Sequence, residues 1–99
     1  MNLSERDLAT LRAILRRSFP GGGVQCYLFG SRVTGGARPD SDLDILIVSD
    51  ESVPFRVLGD VREALEESRL PFRVDVSYAG SLSDDFYRRI APNAAKLEL

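Results

Sequence analysis

Two short polar motifs in this sequence combine residue types that could act on a phosphorylated substrate. Gly30 and Ser31 follow an apolar run of strand length, and after ten further residues Asp42 and Asp44 flank Leu43. Glycine lets the backbone approach a phosphate closely, and the following serine adds a hydroxyl to the N–H groups at a helix start. Two carboxylates at alternate positions of a strand point the same way, which suits a hard divalent cation. Together the motifs predict a phosphate cradle beside a metal site.

Each motif also has an ordinary interpretation. A Gly-Ser pair after a strand is usually a turn, and an Asp-x-Asp sequence at the start of a strand is often a solvated strand end. The two motifs at this spacing would arise by chance in a chain of this length in roughly one sequence in a thousand at ordinary residue frequencies. The combination therefore favours chemistry over two unrelated turns.

Missing residue types restrict the chemistry to carboxylates. The chain has no histidine, which excludes Ser-His-Asp and Cys-His catalysis and an imidazole general base. Cys26 is the single cysteine, so the chain has no internal disulfide, and we expect this residue to be a small core hydrophobe in a reducing compartment. Lys96 is the single lysine and no glycine-rich loop precedes it, which excludes a P-loop.

Length and composition predict one globular domain over residues 1–99. Apolar residues make up 43% and charged residues 28% of the 99 residues, and the net charge of −2 gives no basis for non-specific binding of nucleic acid. The longest apolar run, 45–48, is too short for a membrane span, and Glu5, Arg6 and Asp7 stand where a signal peptide would be apolar. We therefore expect a soluble, cytoplasmic protein without a membrane segment.

Three segments have the residue pattern of β-strands, at Val24–Phe29, Leu43–Val48 and Phe72–Tyr78. Strand periodicity places Asp42 and Asp44 on the face opposite the apolar residues of the second strand. In the third strand it places Asp75 opposite the apolar positions in the same way. The loop 31–41 has room for one helical turn, and the tail 93–99 could add a short edge strand.

Helical periodicity predicts three longer helices. Ser4 is the expected N-cap of the first, with Asp7 completing a capping box. Its apolar positions are Leu8, Leu11, Leu15 and Phe19. Pro54 opens the second, which is expected to end at Leu70-Pro71 and whose apolar stripe comprises Phe55, Leu58, Val61 and Leu65. The last runs from about Ser83 to Ile90, with Leu82, Phe86 and Ile90 on its buried side.

The combined pattern of Gly30-Ser31 and Asp42-x-Asp44 resembles the DNA polymerase beta-like nucleotidyltransferase superfamily. The string between them is similar to the minimal nucleotidyltransferase (MNT) family, short bacterial proteins encoded beside HEPN-domain toxins. It includes Arg32, Gly35, Ala37, Arg38, Pro39, Asp40 and Ser41. The resemblance covers nearly the whole chain and is strongest over 28–48. It implies the polymerase beta-like fold, a single α/β (α+β) domain with a central mixed sheet of three to four strands and helices mainly on one face.

The resemblance also implies a nucleotide-binding loop. Gly30 and Ser31 would hold the triphosphate of a nucleotide, and Ser41 belongs to the same loop. Arg32 and Arg38 are the cations of this loop, and we expect at least one of them to face phosphate oxygens, which arginine binds bidentately. The alternative is that these arginines pair with Asp40 or with the carboxylates of the site.

A carboxylate triad for metal binding is the second implication of the resemblance. Asp42 and Asp44 would bind the metals, and Asp75 matches the family's third carboxylate because it is the only acid inside the third strand. Oxygen donors without histidine or thiolate predict Mg2+, with Mn2+ as a substitute. The expected catalytic residues are therefore Asp42, Asp44 and Asp75.

The reaction implied is in-line transfer of AMP from ATP to a hydroxyl, with a tyrosine of a cognate HEPN toxin as the expected acceptor and an antitoxin role as the result. Two alternatives stay open, namely an antitoxin that only occludes its toxin, and a nucleotide-binding subunit without turnover. Three carboxylates held together against their repulsion favour turnover. The chain has no length left for an acceptor domain, so we expect the acceptor site to come from a partner or from a second copy in a homo-oligomer.

Overall fold

The computed structural model describes residues 3–38, 41–49, 51–79, 85, 88–89 and 91–99. The strands of these residues are β1 (Val24–Phe29), β2 (Leu43–Ser49), β3 (Val74–Tyr78) and β4 (Ala95–Leu97). The helices are α1 (Glu5–Ser18), α2 (Ser31–Thr34) and α3 (Phe55–Glu66), with a 3-10 turn at Ala91–Asn93. No helix among these residues has the length and apolar character needed to cross a membrane.

The four strands form one mixed sheet in the order β3-β2-β1-β4. β1 is antiparallel to β2 and to β4, whereas β2 and β3 are parallel. A parallel pair needs a crossover connection, and α3 supplies it. The sheet confirms the mixed architecture of three to four strands, and β4 confirms the short edge strand expected in the tail.

Helices α1 and α3 pack on one face of the sheet. Alternate residues of β2, namely Leu43, Ile45 and Ile47, are fully buried against them in the core. The helices contribute residues at helical spacing, namely Leu11, Ile14, Leu15, Leu58, Val61 and Leu65. Because strand side chains alternate between faces, burial of these β2 residues turns Asp44 to the opposite face. The core thus decides which face carries the acids.

Two local expectations about the sequence are confirmed. The Ser4 hydroxyl oxygen accepts a hydrogen bond from the Asp7 N–H at 3.0 Å, which satisfies one of the open donors at the start of α1. Cys26 is fully buried in β1, and desolvation raises the pKa of its thiol to about 11. A thiol held neutral in this way is a packing residue rather than a nucleophile.

The expected stripe of α3 is wrong at Phe55, whose side chain is 87% exposed. Phe55 is the first residue of the helix, directly after Pro54, and the buried stripe begins one turn later at Leu58. The helix also ends at Glu66, before the expected stop at Leu70-Pro71. The helical spacing of apolar residues continues beyond the part of α3 that the sheet covers. The sequence alone therefore does not show where burial of the helix begins or ends.

The third strand is shorter than its alternating pattern suggests, because β3 begins at Val74. Phe72 lies before the strand, and its ring centroid is 4.2 Å from the guanidinium carbon of Arg32. The predicted last helix, with Leu82, Phe86 and Ile90, lies outside the described residues except at 85, 88 and 89, which are helical.

Candidate active site

The parallel pairing of β2 with β3 brings Asp44 and Asp75 side by side. In this register Leu43 pairs with Val74 and Asp44 with Asp75. Paired strands lie about 4.8 Å apart, and register partners of a parallel pair project to the same side. Leu43 is fully buried on the helical face, so both aspartates occupy the opposite face. Two carboxylates from distant parts of the sequence therefore meet as direct neighbours.

The charge on Asp44 is opposed by its surroundings. Burial of this half-buried side chain raises the pKa of its carboxyl group, and the nearby charges of Asp75 and then Asp42 raise it further. Asp42 precedes Asp44 by two residues and is also half-buried. Both other predicted acids thus act electrostatically on Asp44. A bound cation would remove this repulsion.

The carboxylates form an open donor set rather than a closed cage. Among the residues that the structure describes, no three His, Cys, Asp or Glu side chains are close enough together to hold one metal ion. Mg2+ is commonly held by one or two protein carboxylates, with its other positions taken by water and substrate phosphates. The in-register pair Asp44 and Asp75 fits that type of site. It leaves coordination positions for phosphate oxygens.

Gly30 connects the first motif directly to Asp44. Its φ of 91° and ψ of −171° lie in a region that is essentially restricted to glycine. Phe29, the residue before it, pairs with Asp44 across β1 and β2. A Cβ atom at position 30 would overlap the Oδ2 atom of Asp44. The absence of a side chain thus lets the turn after β1 lie directly against the central carboxylate.

The turn after Gly30 forms the single helical turn expected in this loop. The Gly30 carbonyl accepts hydrogen bonds from the N–H groups of Val33 at 3.0 Å and Thr34 at 3.1 Å. Ser31 is the first residue of α2 and is exposed. The first backbone N–H groups of a helix have no hydrogen-bond acceptor within the helix. The N–H groups that follow Gly30 therefore point outward from the N-terminal end of α2.

Comparison with known proteins identifies the family. The nucleotidyltransferase domain pattern matches residues 8–97 of the chain. The chain belongs to the nucleotidyltransferase domain family. Among its relatives is a protein named probable protein adenylyltransferase MntA, from Haemophilus influenzae, which is 38% identical over 86 residues. That alignment covers 87% of this chain and 74% of the relative.

Solved structures with the same fold include two toxin–antitoxin complexes. One, crystallised with AMP-PNP, has a chain that matches 93% of this nucleotidyltransferase with a TM-score of 0.78 and 22% identity, and 73% of that chain is covered. Another contains the tri-AMPylated HEPN toxin of Shewanella oneidensis with its MNT antitoxin. It matches 92% of this chain and 68% of the other, with a TM-score of 0.60 and 19% identity. At these identities the likeness establishes the fold alone.

Arg32 holds the motif loop of this nucleotidyltransferase together. Its side chain is only 8% exposed, and its Nε atom donates to the Ser41 carbonyl at 2.8 Å. Its Nη2 atom donates to the Arg38 carbonyl at 3.4 Å, and the guanidinium stacks on Phe72. These contacts tie α2 to the segment that leads into β2. They favour a role within the loop for Arg32, through the backbone carbonyls of Ser41 and Arg38.

Arg38 and Ser41 close the same loop through a reciprocal turn. The Arg38 N–H donates to the Ser41 hydroxyl oxygen at 2.9 Å, and the Ser41 N–H donates to the Arg38 carbonyl at 3.0 Å. Both contacts use the backbone of Arg38, whose side chain is exposed. Asp40, the alternative partner of the arginines, lies outside the described residues. Of the two arginines, Arg38 is the one with the exposed side chain and Arg32 the one with the buried side chain.

Replacing Arg32 by lysine is expected to destabilise the domain, because an ammonium group cannot stack on Phe72 and donate along two directions in one plane. We expect a loss of about 1–3 kcal/mol in the free energy of unfolding, or roughly 4–20 °C in melting temperature. The matched control is Arg38→Lys, where the side chain is exposed and the change should stay within about 0.5 kcal/mol. Thermal denaturation of both variants tests this, and equal melting temperatures would contradict the anchoring role.

Arg73 is a site residue that the sequence analysis missed. Arg73 is the residue before Val74, and Asp42 is the residue before Leu43, the partner of Val74, so Arg73 lies beside Asp42. Strand alternation places Arg73 on the same face as Asp75. The N–H of Leu43 donates to its carbonyl at 2.9 Å, which fixes this position. Its alternation with Asp75 was the available signal. The side chain of Arg73 is exposed.

A groove on the helical face lies away from these residues. It has a volume of about 800 Å³ between α1 and α3, and it is lined by Ala13, Ile14, Val57 and Ala64 among others. It contains none of the residues predicted for catalysis or nucleotide binding. The groove on the helical face therefore contains none of the predicted site residues, and the acid-bearing face is the candidate active site.

Proposed function

We propose that this domain transfers AMP from ATP to a tyrosine hydroxyl of a HEPN-domain toxin and thereby acts as its antitoxin. The observation that carries the proposal is the convergence of Gly30, Asp44 and Asp75, because a glycine turn that touches one of two in-register carboxylates suits a metal-bound triphosphate. Membership of the nucleotidyltransferase domain family supports the reaction type. The names of the relatives support the acceptor and the role.

The relatives point to a protein acceptor. The Haemophilus influenzae relative is named as a protein adenylyltransferase, and 74% of its length is covered by this chain. AMP-PNP, an ATP analogue, is bound in one of the structurally similar complexes, and an AMPylated HEPN toxin is present in the other. ATP as donor and a HEPN toxin as partner are therefore the donor and acceptor that we propose for this chain.

The residues of the site would position the triphosphate and the attacking oxygen. Gly30, Ser31 and the backbone N–H groups after them bind the β- and γ-phosphates, while Asp44 and Asp75 lie below the α-phosphorus. The acceptor oxygen forms a bond to the α-phosphorus, and the bond from that phosphorus to the bridging oxygen of the β-phosphate breaks. Pyrophosphate leaves, and the hydroxyl proton is released to water. Catalysis of this type rests mainly on positioning and electrostatics.

Asp44 and Asp75 would hold the divalent cation that the family's chemistry implies, with Asp42 adding a third negative charge nearby. Their oxygen donors fit Mg2+, with Mn2+ as a substitute, and a cation would favour the ionised form of Asp44, which burial and the charges of Asp75 and Asp42 disfavour by raising its pKa. When bound, the cation supplies charge neutralisation for the triphosphate and the departing pyrophosphate. Arg38, with its exposed guanidinium, is proposed to add a contact to the phosphates from the loop.

The direct test of the proposed function is the mass of the partner. The domain is expressed with the HEPN-domain protein of the neighbouring gene, and the partner is weighed by intact mass spectrometry after incubation with ATP and Mg2+. We expect mass increases of whole AMP residues with ATP and Mg2+, and none in EDTA. Protection from the toxin without any mass change would replace the enzymatic function by occlusion.

Binding of ATP is expected to depend on the divalent cation. Because Asp44 and Asp75 repel the triphosphate in the absence of a cation, we expect the affinity for ATP to rise at least about tenfold when Mg2+ replaces EDTA. The melting temperature should rise with both ligands present and not with either alone. Isothermal titration calorimetry checks the affinity, and identical affinities in EDTA and Mg2+ would contradict a metal-bridged triphosphate.

A further inference from the structure

A pocket beside Asp75 extends the candidate active site to the open edge of the sheet. It has a volume of about 410 Å³ and is lined from α3 by Arg62 and Leu65 and from the segment around β3 by Leu70, Phe72, Arg73 and Asp75. In the sheet that the structure describes, β3 is the outermost strand on this side. The volume falls within the range of ligand-binding clefts, about 300–1,000 Å³. A catalytic candidate thus lies in the wall of a cleft large enough for a side chain.

The order of the strands sets the direction from which an acceptor can attack. The phosphate cradle follows β1, the central Asp44 lies on β2, and Asp75 lies on β3, so the three stand in sequence across the sheet. In phosphoryl and nucleotidyl transfer the attacking and leaving oxygens lie roughly in line. With pyrophosphate held at Gly30 on the β1 side, the attacking oxygen must come from the β3 side. The pocket lies on that side.

The lining of the pocket suits a flat ring with one polar end. Leu65 is 4% exposed and Leu70 and Phe72 are half-buried, which gives an apolar floor. The Arg32 guanidinium stacks on the ring of Phe72, which fixes this part of the floor. At the rim, Arg62 donates a hydrogen bond to the Val76 carbonyl at 3.0 Å, which fixes the position of its side chain. Because β3 is the outer strand, a phenol can cover the apolar floor on the α3 side while its hydroxyl reaches past the strand edge toward Asp75, whose side chain lies on the opposite face. A serine or threonine side chain would leave the floor uncovered.

We propose that this pocket binds the aromatic side chain of the acceptor tyrosine, with Phe72 as the residue that selects a phenol. The proposal rests on the proposed function, and it places part of the acceptor site in this chain, whereas the sequence analysis assigned all of it to a partner or a second copy. The phenolic oxygen bonds to the α-phosphorus of ATP, the bond to pyrophosphate breaks, and the phenolic proton leaves to water. The pocket positions the phenol ring of the acceptor for this reaction.

Two kinds of variant test the pocket with the HEPN-domain protein as acceptor. Glu66→Trp places a bulky ring at an exposed position of α3 that lines the pocket, and Glu63→Trp is its control at an exposed position that does not. We expect Glu66→Trp to raise the KM for the acceptor at least about tenfold. Its Kd for AMP-PNP with Mg2+ should stay within about twofold of the parent value, and Glu63→Trp should leave both unchanged.

Phe72 provides a second and independent test. Phe72→Leu removes the ring and should raise the KM for the acceptor, with the melting temperature measured to account for the lost stack on Arg32. Peptide mapping of the modified partner should place AMP on tyrosine. If the parent transfers AMP but both Glu66→Trp and Phe72→Leu keep its KM, or if AMP is on serine or threonine, the pocket assignment is wrong. If the parent transfers no AMP at all, the proposed function itself fails.

Discussion

Replacing Asp44 with asparagine is expected to abolish AMP transfer and, at the same time, to raise the melting temperature of the ligand-free domain. Asparagine keeps the volume of the side chain but removes the charge that would hold a cation under the triphosphate. Loss of a ligand of this kind should reduce the rate of transfer by about a hundredfold or more. The partner should still associate, because Asp44 is half-buried within the sheet face and the fold is kept.

The gain in stability follows from the raised pKa of Asp44. Burial and the charges of Asp75 and Asp42 disfavour its ionised form, so the folded state binds the proton more tightly than the unfolded state does. This contribution to stability is fully present only below the pKa of the unfolded chain, and it is lost as the pH rises through the pKa of the folded state. At neutral pH the parent is therefore destabilised by a charge that Asp44→Asn lacks.

The expected rise is about 2–4 °C, which for a domain of this size corresponds to roughly 0.5 kcal/mol. It should shrink as the pH is lowered through the raised pKa of Asp44, because the carboxyl group of the parent is then itself protonated. Differential scanning fluorimetry over this pH range checks it. Asp60→Asn, at an exposed position of α3, is the control and should change neither transfer nor the pH dependence. A melting temperature that falls in Asp44→Asn at neutral pH would contradict the repulsion argument.

The same variant separates catalysis from occlusion. If neutralisation of the toxin is enzymatic, Asp44→Asn should bind the HEPN-domain protein and yet leave the toxin active. If the variant protects cells as well as the parent does, occlusion accounts for the antitoxin role. The variant replaces one carboxylate oxygen by an amide nitrogen at a half-buried position. A loss of protection while the two proteins still associate therefore cannot be attributed to a lost interface.

Strand periodicity predicted the face of each acid, whereas the expectation that Asp75 would join Asp42 and Asp44 came from the family resemblance and not from local periodicity. Alternation with apolar neighbours placed Asp44 and Asp75 away from the core, and the structure agrees. Their pairing depends on the register of β2 against β3, which is set by how α3 crosses between the strands and by which residues it buries. A shift of one residue would turn the whole strand over. Register is therefore a tertiary property that local periodicity does not contain.

The arginines show a second limit of sequence-based prediction. Arg32 and Arg38 are both cations of one loop, and nothing in their neighbours distinguishes them. The structure buries Arg32 against Phe72, about forty positions away in sequence, and leaves the side chain of Arg38 exposed. Arg73 was missed for the same reason, since its nearness to Asp42 exists only once the strands pair. Contacts between distant segments decide which charge is structural and which faces a ligand.

Gly30→Ala is expected to have the second large effect, because two independent constraints exclude a side chain at this position. The backbone conformation at φ 91° and ψ −171° is strained for any other residue, at a cost of about 1–3 kcal/mol. In addition, the new methyl group would overlap Asp44 Oδ2, so the carboxylate has to move. We expect a fall of roughly 4–20 °C in melting temperature and a loss of AMP transfer of about a hundredfold or more.

Gly59→Ala is the matched control, since it makes the same chemical change in the middle of α3. Nothing lies within 4 Å of a Cβ atom built at Gly59, and its φ is not positive. Alanine there should stabilise the helix by about 0.5–1 kcal/mol, because glycine is the poorer helix former. Transfer of AMP should not change, since α3 presents this position to solvent and not to the acids.

The double variant Gly30→Ala/Gly59→Ala distinguishes the two ways in which Gly30→Ala can lose activity. The two positions share no contact, so their effects on stability should add, and Gly59→Ala should recover part of the lost melting temperature. Activity should not recover, because the displaced Asp44 carboxylate is a local consequence of the methyl group. If activity returned with stability, the loss in Gly30→Ala would be due to unfolding alone. The close contact between the glycine turn and Asp44 would then have no catalytic role.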